Sequence, residues 1–209
     1  MSQTSRSSFN ETWLFEMPSG LGNFETYDAL EYSIKDYVKS GQSPISLGNN
    51  LFKIDGQQVV YYWYELDKTI TLGIQFDKKP QGLVVGLVGK NPKLKGRAPF
   101  ASTLYDSVLA DTKGSIRILS DTQLSDEGYS LWKRLLSQGH KVSLYDRDQP
   151  GKTFTTFQTP DEMDEYFKHD DTAFKRYQYV LSESTMLGET RSYFNTRRFR
   201  ELSGLDLTD

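Results

Sequence analysis

Lys90, Lys93, Lys95 and Arg97 crowd around Gly96 in the stretch GLVVGLVGKNPKLKGRAPFASTLYDSVL, residues 82–109. An apolar run precedes this basic loop and a helical pattern follows it. A strand, a glycine-containing loop and a helix start in that order aim backbone N–H groups and the positive end of the helix dipole at one spot. The chemistry expected there is the grip of a phosphate or pyrophosphate at Lys95–Ser102. An ordinary solvated loop carrying lysines is the competing explanation.

Other chemistries are poorly served. The chain has no cysteine, so disulfides, thiolate nucleophiles and iron–sulfur clusters are excluded. Its two histidines, His140 and His169, stand far apart and in no zinc-ligand spacing, and there is no G-x-S-x-G elbow for a serine nucleophile. Both histidines read as exposed loop residues, and no metal is expected. The 209 residues carry a net charge of −3, which argues against a general nucleic-acid-binding field. Mean hydropathy is −0.60. No apolar run approaches membrane-spanning length, and the start MSQTSRSSFN lacks the apolar core of a secretory signal. A cytoplasmic protein without a membrane partner is the expectation.

The elements that must position the basic loop follow from periodicity. Residues 1–10 read as a disordered tail and Thr12–Glu16 as a first strand. Asn23 to Ser40 reads as an amphipathic helix with Tyr27, Leu30, Ile34, Tyr37 and Val38 on its apolar face and Gly41 as its stop. The period then drops to two. Leu51–Ile54, Val59–Leu66, Ile70–Phe76 and Leu83–Val88 form an antiparallel meander, its first turn built on the positive φ available to Gly56. Beyond the loop the order alternates: helix Phe100–Ala110, strand Ile116–Leu119, helix Ser125–Ser137, strand Val142–Tyr145, a short acidic helix after Thr159-Pro160-Asp161, and a last strand Tyr177–Leu181. The fold class expected is mixed α+β and α/β: a mostly antiparallel central sheet flanked by helices, in the order β-α-β-β-β-α-β-α-β-β. Residues 11–190 form one domain, followed by a basic and then acidic extension, 191–209.

That order, and two motifs within it, resemble the GNAT superfamily of acyl-CoA N-acyltransferases. Lys95-Gly96-Arg97-Ala98-Pro99-Phe100-Ala101-Ser102-Thr103-Leu104-Tyr105 is similar to the family's Arg/Gln-x-x-Gly-x-Gly/Ala loop and the Leu-Tyr helix after it. Ser125 to Leu135 followed by Gly139 is similar to its Asn-x-x-Ala-x-x-Leu-Tyr-x-x-x-Gly helix, and the pattern also resembles GNAT-type proteins of tailed bacteriophages. The resemblance implies acetyl-CoA as cofactor and an amine, on a small molecule or a protein, as acyl acceptor. It assigns cofactor contacts to Val88, whose N–H would polarise the thioester carbonyl, and to Lys95, Gly96, Arg97, Ala98, Ala101, Ser102 and Ser125. The sequence departs from the family at Pro99, which has no N–H where the loop's first glycine stands. It departs again at Trp132, where the family has the tyrosine that protonates the leaving thiolate and where an indole cannot serve. Under the resemblance Tyr129 takes over as acid, and Glu65 or Asp121 as base. Each has a structural alternative: Tyr129 in the core, Glu65 on a solvated strand, Asp121 as cap of the next helix. A non-catalytic phage structural or accessory protein, with virion partners, is the other function expected.

Tyr61-Tyr62-Trp63-Tyr64 reads as a strand alternating core and surface, or as the wall of an acceptor groove. Arg191, Arg197, Arg198 and Arg200, interleaved with Tyr193 and Phe199, read as a terminal helix with Arg197 near Glu201, or as a contact for nucleic acid or an acidic protein surface.

Overall fold

The structure, a computed structural model, describes residues 23–121, 124–149, 153–167 and 176–182. The expected first strand, the N-terminal tail, His169 and the arginine-rich extension lie outside the described residues. Helix α1 (Asn23–Lys39) leads into five strands, β1 (Ile45–Gly48), β2 (Leu51–Asp55), β3 (Val59–Leu66), β4 (Thr69–Lys79) and β5 (Gly82–Lys90). A 3-10 turn, Pro92–Leu94, precedes α2 (Ala101–Asp111), followed by β6 (Ile118–Leu119), α3 (Asp126–Ser137), β7 (Lys141–Asp146) and β8 (Thr153–Thr156). A 3-10 helix, Pro160–Tyr166, precedes β9 (Tyr177–Ser182). The strands make one mixed sheet in the order β1-β2-β3-β4-β5-β6-β9-β7-β8. Every neighbouring pair is antiparallel except β5 and β6.

Both faces of the sheet are covered. Alternation along β3 sends Val60 and Tyr62 to one core with α2 and α3, and Val59, Tyr61 and Trp63 to a second core with α1. The tyrosine-rich strand thus alternates core with core rather than core with surface, because helices occupy both sides. On α1, Tyr27, Leu30 and Ile34 are buried, whereas Val38 is exposed and lies off the apolar face expected for it. The larger core is aromatic. Phe76 meets Tyr105 edge-on, Tyr105 meets Trp132 edge-on, and Trp132 lies against Tyr179.

The turns differ from the sequence reading in an instructive way. Gly56 has no positive φ. A Cβ there would lie 3.0 Å from the Val59 carbonyl oxygen and 3.1 Å from the Tyr37 ring, so this glycine answers to crowding rather than to backbone angle. The positive φ values fall instead on Asn49 and Asn50 between β1 and β2, and on Asp67 and Lys68 between β3 and β4. Both two-residue turns have the double left-handed geometry whose twist suits a hairpin. Strands β1 and β8 are additions to the expected meander and C-terminal half; both are four-residue edge strands.

His140 is a second correction. It is buried, with Nε2 2.8 Å from Asp106 Oδ1. Gly139, at φ 85°, ends α3 with a left-handed residue, and the His140 N–H returns to the Leu135 carbonyl. That reversal tucks the imidazole beneath α2 instead of leaving it in a solvated loop.

Candidate functional site

Strands β5 and β6 run parallel, and their ladder is short. Only Leu83 with Ile118 and Val84 with Leu119 are partners, after which β6 ends and β5 continues to Lys90. From Val85 onward β5 is paired on its β4 side alone. A bulge at Gln75/Phe76 marks the place where the strand leaves its neighbour. Val88 lies in this stretch, opposite Ile74 of β4 and with no strand on its other side, its side chain packed towards the α2/α3 core.

The basic loop follows directly. Asn91 Oδ1 accepts from the Lys93 N–H, and the Lys95 and Arg97 amides close on the Pro92 and Leu94 carbonyls. Gly96 takes φ 78°, the left-handed conformation that lets the loop reverse. Lys90 Nζ donates to the carbonyl oxygens of Arg97 and Pro99 and stands over the Phe100 ring, so this lysine ties the loop shut rather than facing a ligand. Burial lowers its pKa. Lys95, Gly96, Arg97 and Ala98 are exposed. Helix α2 starts without a side-chain cap at Phe100 and without an acid in its first turn. The amides of Ala101, Ser102 and Thr103 meet no acceptor among the described residues. Three unpaired donors, an uncompensated helix start and two free-standing cations make an electropositive corner.

The carboxylates and the tyrosine do not all converge. Glu65 sits at the end of β3 and accepts from Trp63 Nε1 at 3.3 Å. Three strand spacings, roughly 14 Å, separate β3 from β6. Asp121 follows β6, on the other side of the sheet's centre. Tyr129 on α3 donates to Asp164, whose carboxylate also takes Lys133 Nζ at 2.9 Å. Burial first, and then the bond to Asp164, push the Tyr129 phenol well above its ordinary value. The Tyr129 ring stacks on Phe167 at 3.8 Å, and Phe167 lines the same cleft as Asp121, so these two candidates are neighbours and Glu65 is not. Asp121 is not the cap of α3; that position belongs to Ser125, whose Oγ accepts from the Gly128 N–H at 3.2 Å. Trp132 is fully buried between Tyr105 and Tyr179.

One residue escaped the sequence reading. Gln75 on β4 is 3 % exposed, and its Oε1 is the one buried side-chain atom without a partner among the described residues. It lies beneath Gly86, exposed on β5, where a Cβ would stand 3.3 Å from Gln75 Nε2. The one signal in the sequence is an amide placed directly between Ile74 and Phe76.

The class these features define is a mixed α+β protein with an electropositive corner beside a parted pair of parallel strands. Comparison with protein-family models, curated proteins and solved structures returns no match. Among the described residues no helix is long and apolar enough to cross a membrane.

Proposed function

We propose that the chain is a GNAT-type protein that binds acetyl-CoA between β5 and β6 and transfers the acetyl group to an amine. The observation that carries this reading is the parting of the only parallel strand pair among the described residues, beside the unpaired amides of α2. The placement of β9 between β6 and β7, with α2 and α3 on one face and α1 on the other, supports it further. The residues present suit a diphosphate: the Ala101, Ser102 and Thr103 amides would donate, and Lys95 and Arg97 would supply charge. Pro99 contributes no N–H. Bound acetyl-CoA brings an activated thioester. The chain's part is then to hold it along the free side of β5, with the Val88 amide as carbonyl donor, Asp121 as proton acceptor and Tyr129 as proton donor.

A ligand that binds only the native state raises its unfolding midpoint. Millimolar acetyl-CoA is therefore expected to stabilise the protein, and Lys95→Ala with Arg97→Ala to weaken that effect at least tenfold in affinity. An unchanged midpoint would reject the reading.

The second reading is a catalytically inactive GNAT-fold protein in a structural or accessory role in a phage. It is favoured by Trp132, immobilised in the core where the family has its acid, and by the commitment of the Tyr129 hydroxyl to Asp164. Recovery of the chain in purified virions, with no response to acetyl-CoA, is its expected signature.

A further inference from the structure

Lys90 is the last residue of β5, where the basic loop leaves the sheet. Its backbone is held on every side. It stands opposite Leu72 in the β4 ladder, and the Asn91 N–H after it donates to the Thr71 carbonyl at 2.9 Å. Gly89 before it is buried against α1, where a Cβ would lie 2.8 Å from the Tyr27 Cα. From this anchored position the ammonium reaches over the loop. It donates to the Arg97 carbonyl, and to the Pro99 carbonyl at 2.8 Å, and lies 5.0 Å from the centre of the Phe100 ring. Two carbonyls, two residues apart, share one cation.

The planarity of the peptide group carries those bonds through to the opposite side of the loop. In a trans peptide the C=O and the following N–H point in opposite directions. The Arg97–Ala98 and Pro99–Phe100 peptides are both trans. A carbonyl turned to Lys90 at Arg97 therefore turns the Ala98 N–H away from it, and the Pro99 carbonyl does the same for the Phe100 N–H. Ala98 and Phe100 are exposed, and neither amide meets an acceptor among the described residues. These donors lie just ahead of the unpaired Ala101, Ser102 and Thr103 amides of α2, and they flank Pro99, which has no N–H to offer. The electrostatics agree. A carbonyl oxygen left free in an exposed loop can face the same corner and repel an anion there. Tied to an ammonium, its negative end is compensated and faces the other way, and successive outward N–H groups make an anion-binding concavity.

We propose that Lys90 is a positioning residue of the anion site: by holding the Arg97 and Pro99 carbonyls it sets the Ala98 and Phe100 amides as donors to a bound diphosphate. The inference rests on the reading of this loop as a diphosphate site. It makes the two neighbours of Pro99 the replacement for the donor that Pro99 lacks.

The experiment uses the full chain with sodium pyrophosphate as probe and sodium chloride to match ionic strength, read by proton–nitrogen correlation spectra. In the unmodified protein, pyrophosphate is expected to shift the Ala98 and Phe100 amides saturably, together with those of Ala101 to Thr103. Lys90→Met is expected to silence the Ala98 and Phe100 amides and to weaken pyrophosphate about tenfold, the effect of losing one hydrogen bond to a charged group. Lys90→Arg, which can still donate to both carbonyls, is expected to restore both. Lys95→Ala with Arg97→Ala is expected to lower affinity while Ala98 and Phe100 still respond. Ala98 and Phe100 amides unmoved in the unmodified protein overturn the inference, and that titration needs no variant to fold. So does a folded Lys90→Met protein in which they still respond, whether affinity is kept or lost, because a charge acting at a distance would leave the same amides in contact. Pyrophosphate carries neither pantetheine nor acetyl group, so the two amides can respond where acetyl-CoA does not bind. Binding of acetyl-CoA with both amides silent overturns the inference and leaves the acyl-transfer reading in place.

Discussion

The two halves of the sheet are assembled by different means. Strands β1 to β5 are joined to their sequence neighbours by short turns, and every ladder among them is antiparallel and local. Beyond β5 the chain crosses over through α2 and α3, β9 inserts between β6 and β7, and the link between halves is two residue pairs long. The first half is held chiefly by its own ladders. The second depends on Tyr105, Trp132 and Tyr179 to clamp two crossover helices onto the sheet. The electropositive corner lies beside the boundary, where pairing of β5 with β6 runs out and leaves polar groups.

The sharpest way to break the second half is Trp132→Ala. Removing this buried indole is expected to cost about 3–5 kcal/mol, the range for large aromatic truncations. Chemical denaturation measures the loss, with hydrogen exchange in β7 and β9 accelerating before that in β3 and β4. A uniform acceleration across both halves would show that they do not differ in this way.

Gly82→Ala attacks the boundary itself. Gly82 has φ 145°, and a Cβ there would stand 2.4 Å from the Arg117 carbonyl oxygen. Strain and crowding together are expected to cost about 2–3 kcal/mol. Gly48→Ala in the first half, at φ 86° but in open space, is expected to cost only about 1 kcal/mol. Urea midpoints of the two variants test whether the boundary is the more tightly determined place.

A pH titration sharpens the comparison on the side of α2. Burial alone would raise the Asp111 pKa, but hydrogen bonds from Lys53 and Tyr62 and the Lys53 charge outweigh it and hold the carboxyl below its ordinary value. A depressed carboxyl pKa contributes stability that is present above its unfolded value and lost as pH falls through the folded one. Asp111→Asn is therefore expected to be destabilising at pH 7 and to flatten the decline in stability below about pH 4. Thermal midpoints between pH 7 and pH 3 check the slope.

The smallest effect is expected at Gln75→Leu. Deleting an unpaired buried acceptor is expected to change stability by no more than about 1 kcal/mol, in the stabilising direction. A clear destabilisation would mean that the Gln75 amide makes a bond with water or ligand in solution.

Much of the architecture was legible before any coordinates. The strands Leu51–Ile54, Val59–Leu66, Ile70–Phe76 and Leu83–Val88 and the helices after Asn23, Phe100 and Ser125 fall where periodicity and capping place them, within a few residues. Such elements declare themselves because alternation and helical spacing are local properties. Strand β1 was missed because Asn49-Asn50 is a weaker turn signal than a glycine dipeptide, and β8 because Thr153–Thr156 is a polar edge with little to alternate. At the site, the basic loop was legible as a cluster of charge. The engagement of Lys90 by loop carbonyls, the pairing of Tyr129 with Asp164 and the orphaned oxygen of Gln75 were not, because each depends on a partner from another part of the fold.

By itself the sequence determined the elements, their order and the crowding of positive charge ahead of one helix, since these need only near neighbours along the chain. Tertiary structure alone decided that Glu65 stands strands away from Asp121, that His140 is buried on Asp106, and that an acid is ringed by tyrosines at the end of β6. The physical reason is that contact between distant residues is set by strand order and by which face of the sheet a side chain takes, and a shift of one residue in register reverses that face.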